Sequence, residues 1–235
     1  MATPEGVILI DKPAGLSSHD VVATVRRALG GAKTGHAGTL DPFATGLLLV
    51  LVGRATRIQR HMMELTKRYE TVAQLGASSS TGDTEGEITH TGVLPPDPPP
   101  LPTGEIRQRP PIYSAVKIGG ERAYKRARRG ESFQMPERVV SVYGFRQLWR
   151  EADPEHPALQ RAAFQIECSA GTYVRSLIAD LGDAYCLQLR RTAIGPFLLT
   201  DAVPAPGRKE TWTPARIVSI ERALELAKAA GAPSQ

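Results

Sequence analysis

The chain has 235 residues, 41% hydrophobic and 23% charged, enough for one large domain with a sizeable core or a domain plus a small appendage. Twenty-nine lysines and arginines stand against 24 acids, a net charge of +5 that leans moderately toward a polyanionic partner. The longest apolar run, Leu47 to Val52, falls far short of the ~20 residues of a membrane helix, and no basic segment precedes a long apolar one at the N-terminus, so no membrane span and no secretory leader are expected.

In chain order, Val7 to Ile10 is a short apolar run closed by Asp11-Lys12-Pro13, a strand and its turn. Ser17-Ser18-His19-Asp20 offers N-cap residues before VVATVRRALG, an amphipathic helix stopped by Gly30-Gly31. A loop carrying Asp41 follows, then Leu47 to Val52 as buried strand or helix end. Residues 69–75, YETVAQL, alternate as a strand does, and 76–87, GASSSTGDTEGE, read as a polar loop. The proline-dense stretch 94–102 is a stiff, extended loop within the domain. Residues 121–130 form a short basic helix; Val139 to Leu148 and Ala162 to Cys168 are strands; Tyr173 to Leu181 is a helix. Residues 201–216 are proline-rich and irregular, and Ile217 to Ala230 is a last helix. Strands both alternate with helices and run consecutively, which favours an α+β fold.

Several chemistries find no support. There is no GxxxxGK[ST] loop, no GxGxxG after a strand and no GxSxG elbow. The five histidines are scattered, and Cys168 and Cys186 make neither a disulfide framework nor a four-ligand zinc site. No metal and no cofactor is expected, and a reducing cytoplasm is the simplest setting. Asp41 remains, in GHAGTLDPFATG. Asp-Pro is a good helix start, so capping is one reading. The flanking Gly35 and Gly38 allow a tight turn and close ligand approach, so a nucleophile is the other. In ERAYKRARR, 121–129, five bases meet one acid; this is either a solvated helix face or a set of phosphate contacts.

GHAGTLDPFATGLLLVLVGRATR resembles the catalytic signature of the pseudouridine synthases, and specifically of their TruB family. Other blocks resemble the family in the same order. They are VILIDKPAGLSSHDVV (7–22), KRYETVAQLG (67–76), LGASSSTGDTEGEI (75–88), RPPIYSAVKIGGERAYKRARRG (109–130), CSAGTYVRSLIADLG (168–182) and LRRTAIGPF (189–197). The resemblance implies an α+β pseudouridine synthase fold: a mixed, mostly antiparallel sheet flanked by helices, with a central active-site cleft. The catalytic domain would span 1–200 with a basic RNA-binding insertion at about 117–142, and 201–235 would be a tail and helix. Relatives carry a PUA domain after the catalytic domain; the segment after Phe197 holds no such strand-rich module, so none is expected here. Between Gly182 and Leu189, DAYCLQ is also shorter than the family's stretch.

The implied activity is isomerisation of a uridine in the T-arm loop of tRNA, position 55, to pseudouridine, by a cytoplasmic monomer needing no guide RNA. A tRNA-folding chaperone with secondary catalysis is the alternative. By the same resemblance Asp41 is the nucleophile. Arg175 is the active-site arginine beside it, or else an ordinary surface residue. Tyr69 stacks on the target uracil, or else is a core aromatic. Tyr173 and Leu189 line the uracil pocket. His36 orders a flipped nucleotide, Lys12 supports the Asp41 loop or meets a phosphate, and Lys117 meets the RNA backbone.

Overall fold

The computed structural model describes residues 4–114, 116–207, 212, 214 and 216–231. In chain order the elements are β1 (Gly6–Lys12), α1 (Ser18–Ala28), β2 (Thr34–His36), β3 (Thr45–Val52), α2 (Gln59–Glu64), β4 (Lys67–Leu75), β5 (Ala77–Ser79), β6 (Ile88–His90), β7 (Gly104–Gln108), β8 (Lys117–Ile118), β9 (Glu121–Arg122), α3 (Ala123–Arg128), β10 (Arg138–Ala152), β11 (Gln160–Cys168), α4 (Val174–Ala179), β12 (Ala184–Ile194), β13 (Phe197–Leu198), β14 (Val203–Pro204) and α5 (Ile220–Ala229). They form two compact units. One comprises the chain up to Tyr69 and from Leu189 onward, the other Glu70–Gln188.

The first unit is built around β3. Its strand order is β14-β1-β3-β12, with β2 also on β3 and β13 on β12. β1 runs antiparallel to β3, while β12 runs parallel to it. Val7 and Leu9 join Leu47, Leu49 and Leu51 in a core with Met62 of α2 and Ala223 and Ala227 of α5. Ile8 and Ile10 join Leu48, Val50 and Val52 in a second core against Val21 and Val25 of α1. β3 is thus covered on both faces. That is why its sequence shows a continuous apolar run instead of alternation, and it resolves Leu47–Val52 as strand. Helix α1 begins as its capping signal promised: Asp20 N donates to Ser17 Oγ at 3.1 Å and Ser17 N to Asp20 Oδ2 at 2.9 Å.

The second unit carries the strand order β12-β4-β11-β10-β7. β10 pairs antiparallel with β11 and, through residues 138–142, with β7. Its register slips between Val142 and Gly144 and between Gln147 and Trp149. Phe145 and Phe164 meet edge-on at 5.6 Å in its core. The 94–102 stretch is an extended loop pinned by Arg150, which donates to Pro95 O and Pro96 O. β5 and β6 pair as a hairpin around the supposed polar loop, and β8 and β9 pair across Gly119-Gly120 before α3.

The α+β expectation holds, with a mixed, mostly antiparallel set of strands. Several elements lie outside the sequence reading. β12 was not anticipated, nor were β2, β7 and α2. The C-terminal helix is real and shorter, and it packs into the first unit's core. Of the irregular stretch 201–216, positions 208–211, 213 and 215 lie outside the described residues.

At the centre of the first unit Gly46 pairs with Lys12 on one side and Arg191 on the other. Its φ is +100°, and a Cβ there would fall 2.3 Å from Arg191 O. Gly46→Ala therefore combines backbone strain with a clash against main chain, and should cost about 3 kcal/mol or more. The urea midpoint of unfolding measures it, and an unchanged midpoint would refute the close approach.

Candidate active site

The loop between β2 and β3 holds Asp41. No helix follows Asp41-Pro42; the chain bends once, Ala44 N donating to Asp41 O at 3.1 Å, and enters β3. The capping reading is therefore ruled out. Asp41 is half-buried, and Leu40 and Ala44 beside it are buried.

Buried polar side chains fix this loop's main chain. Lys12 is fully buried, and its ammonium donates to Pro13 O at 2.9 Å, Leu16 O at 2.7 Å and Pro42 O at 3.2 Å. All three of its hydrogens are used on carbonyls. Of the two roles open for Lys12, this geometry is the loop support. Burial pushes its pKa down to about 8, opposed by the nearby carboxylate of Asp41. Ser18, on the first turn of α1, bonds Leu40 both ways: its Oγ accepts from Leu40 N at 2.9 Å and donates to Leu40 O at 3.1 Å. Arg191 of β12, 1% exposed, donates to Leu47 O at 2.7 Å, Gly38 O at 3.1 Å and Thr39 O at 3.4 Å. Neither Ser18 nor Arg191 was foreseen. The signal for Arg191 lay in its place two residues after Leu189 on a strand, where alternation turns both inward.

His36 ends β2, its Nδ1 buried and its ring edge-on to His19 at 5.2 Å. Burial first, then His19 and Arg191, push its pKa down to about 4, so it is neutral near pH 7. Tyr69 and Leu189 are both buried, on β4 and β12 of the same unit.

The second unit holds Arg175, Tyr173 and Lys117. Arg175, on α4, is 4% exposed and pairs with Asp83 Oδ2 at 3.0 Å. It also donates to Thr81 O at 2.7 Å and Tyr113 O at 3.0 Å. Asp83, 3% exposed, accepts in addition from Thr81 Oγ1 at 2.5 Å and Glu85 N at 3.0 Å. Arg175 is thus no ordinary surface residue, and the stretch 76–87 hides a buried carboxylate that positions it. A groove of about 450 Å³ lies beside Arg175, lined also by Thr81, Gly82, Pro110, Pro111 and Ser176. Tyr173 caps α4; its main chain is bonded both ways by the buried amide of Gln108, at 2.8 and 3.0 Å, and Arg138 stacks on its ring at 4.8 Å. Lys117 is exposed on β8. In the neighbouring α3 region, Arg126 bonds Glu131, and Arg129 bonds Glu121 and Glu131.

Residues 26–174 match the profile of the TruB family pseudouridylate synthase, N-terminal domain. The chain is 42% identical to the tRNA pseudouridine synthase B of Corynebacterium glutamicum (strain R), over 95% of this chain and 77% of that protein. It is 40% identical to the protein of the same name from Geobacillus kaustophilus, over 94% of this chain and 83% of that one. Among solved structures, a Cbf5-Nop10-Gar1 complex matches with a TM-score of 0.61 at 32% identity, covering 85% of this chain. The chain spans about half the length of that solved chain, 52%.

Two outcomes test this geometry. Lys12→Met leaves three carbonyls short of a donor and should lower stability by about 1–3 kcal/mol, read from urea unfolding; equal stability would show that the ammonium is not the loop's support. His36 takes up a proton near its ordinary 6.5 when unfolded and only near 4 when folded. The unfolded state then binds more protons between those values, so stability should fall as pH drops from about 6.5 to 4. In His36→Gln that part of the fall should vanish; an identical pH profile would count against it.

Proposed function

Because the chain belongs to the TruB family of pseudouridylate synthases, and is by that membership an isomerase, we propose that it converts one uridine in the T-arm loop of tRNA, position 55, to pseudouridine, with Asp41 as nucleophile. The observation carrying this reading is the loop around Asp41: its main chain is gripped by Lys12, Ser18 and Arg191 while the carboxylate stays half-buried. A catalytic group needs such preorganisation, because geometry errors of about 1 Å can cost on the order of 10²-fold in rate.

The reaction breaks the N1–C1′ bond, turns the uracil and joins C5 to C1′. The proton displaced from C5 is balanced by one gained at N1, so no atom enters or leaves overall. An ionised Asp41 suits attack on a sugar or base carbon. Arg175, fixed by Asp83, Thr81 and Tyr113, is the active-site arginine of this reading. Tyr69 is the ring that packs on the uracil and assists loss of the C5 proton. Tyr173 and Leu189 wall the base pocket. A stacked target must be flipped out, and the neutral His36 orders the extruded nucleotide without adding charge. Lys117 and the basic residues of α3 meet RNA phosphates. Residues 1–200 are the catalytic domain in this reading. The protein acts as a monomer on bare tRNA, in the cytoplasm; among the described residues no helix is long and apolar enough to cross a membrane.

Pseudouridine mapped by position on an unmodified T-arm stem-loop, with no guide RNA added, tests the proposal. The chain should convert one loop uridine. Asp41→Asn should lose on the order of 10⁴-fold or more in kcat while still binding RNA. A chaperone would keep its folding activity in that variant, and a dependence on added guide RNA would overturn autonomous action.

A further inference from the structure

Gly46 is flanked in register by Lys12 of β1 and Arg191 of β12, so the three residues form one row across the sheet. At Gly46 the β3 main chain comes too close to Arg191's own main chain to carry a Cβ. Lys12 reaches the loop just after Asp41, at Pro42. Arg191 reaches it before Asp41, at Gly38 and Thr39, and reaches the strand it runs into, β3, at Leu47. Among the described residues Arg191 makes no salt bridge; its hydrogen bonds go to main-chain carbonyls. A guanidinium kept 99% out of water with carbonyls as its hydrogen-bond partners is costly. The three carbonyls require a buried donor, but a single amine could donate to them as Lys12 does to its three, so the choice of a planar, forked guanidinium needs another reason.

We propose that Arg191 is a positioning residue for the reaction: it ties the start of the Asp41 loop, at Gly38 and Thr39, and the strand the loop runs into, at Leu47, to β12, so that the carboxylate between them is held in one place. Lys12, a point donor that meets the loop at Pro42 alone, cannot bridge these two places. The planar fork of an arginine can, because its Nε and terminal nitrogens point in different directions.

The inference rests on Asp41 being the nucleophile, and its test separates the two. Amide hydrogen exchange is measured on the full chain without RNA, for the wild type, Arg191→Met and Arg191→Lys. Single-turnover kcat and RNA affinity are measured on the unmodified T-arm stem-loop. In Arg191→Met, exchange should rise selectively at residues 38–44. There kcat should fall by about 10²-fold with RNA affinity unchanged. Arg191→Lys, keeping a charge without the fork, should lie between the two in both readouts. Exchange that rises evenly across the first unit, with kcat unchanged, overturns the proposal and leaves Arg191 merely structural. If the methionine variant fails to fold, the lysine variant decides alone: wild-type exchange at 38–44 with wild-type kcat overturns it. If the wild-type chain makes no pseudouridine, the function proposed for Asp41 falls, and the exchange pattern still decides whether Arg191 grips the loop.

Discussion

Main-chain carbonyls gripped by buried cations are the constraint on which the first unit depends. Where a loop runs into a strand covered on both faces, carbonyls turned inward need donors from the protein. Lys12 and Arg191 supply those donors from the two strands that neighbour β3. The strand order β1-β3-β12 thereby does more than bury apolar surface: it sets a cation on each side of the chain that carries Asp41. Glycine at position 46 follows from the same arrangement, since its backbone approaches Arg191 too closely for any Cβ.

The second unit uses a related device with the charges reversed in importance. Asp83 is buried, and its two oxygens accept three hydrogen bonds, from Arg175, Thr81 and Glu85. The pair is almost fully desolvated, and Asp83's oxygens are bonded to three donors, the kind of setting in which a buried ion pair fixes geometry. Gln108 does the same for Tyr173 with a neutral amide. In both units a candidate site residue is held by a buried polar neighbour that comes from a distant part of the sequence.

That distance decides what the sequence reveals. β1, α1 and β4 are legible because their periodicity and caps are local. β3 is legible as apolar but ambiguous in type, because burial on both faces erases the alternation that marks a strand. Asp41 is visible by its glycines, yet Asp-Pro carries the same local signature as a helix start, and only the strand that follows rules that out. Asp83 reads as loop polarity because its partner Arg175 lies 92 residues away. Arg191 reads as one more surface cation in LRR, because β12 has no apolar pattern until its inward-facing arginine is recognised as buried. The family resemblance supplied Arg175 and Tyr173 without their supports.

The basic element around α3 bears on ionic strength. Five cations stand in residues 121–129, but Arg126 and Arg129 are already neutralised by Glu121 and Glu131. Arg122, Lys125 and Arg128 make no ion pair among the described residues. Binding a polyanion gains from released counterions only where a protein charge is free to replace them. The element therefore behaves as roughly three charges, not five, and its attachment to a single strand should weaken with salt at a slope of about −2 on logarithmic axes, where composition alone suggests about −3.5. Glu121 and Glu131 thus limit the free charge this surface can offer any polyanion.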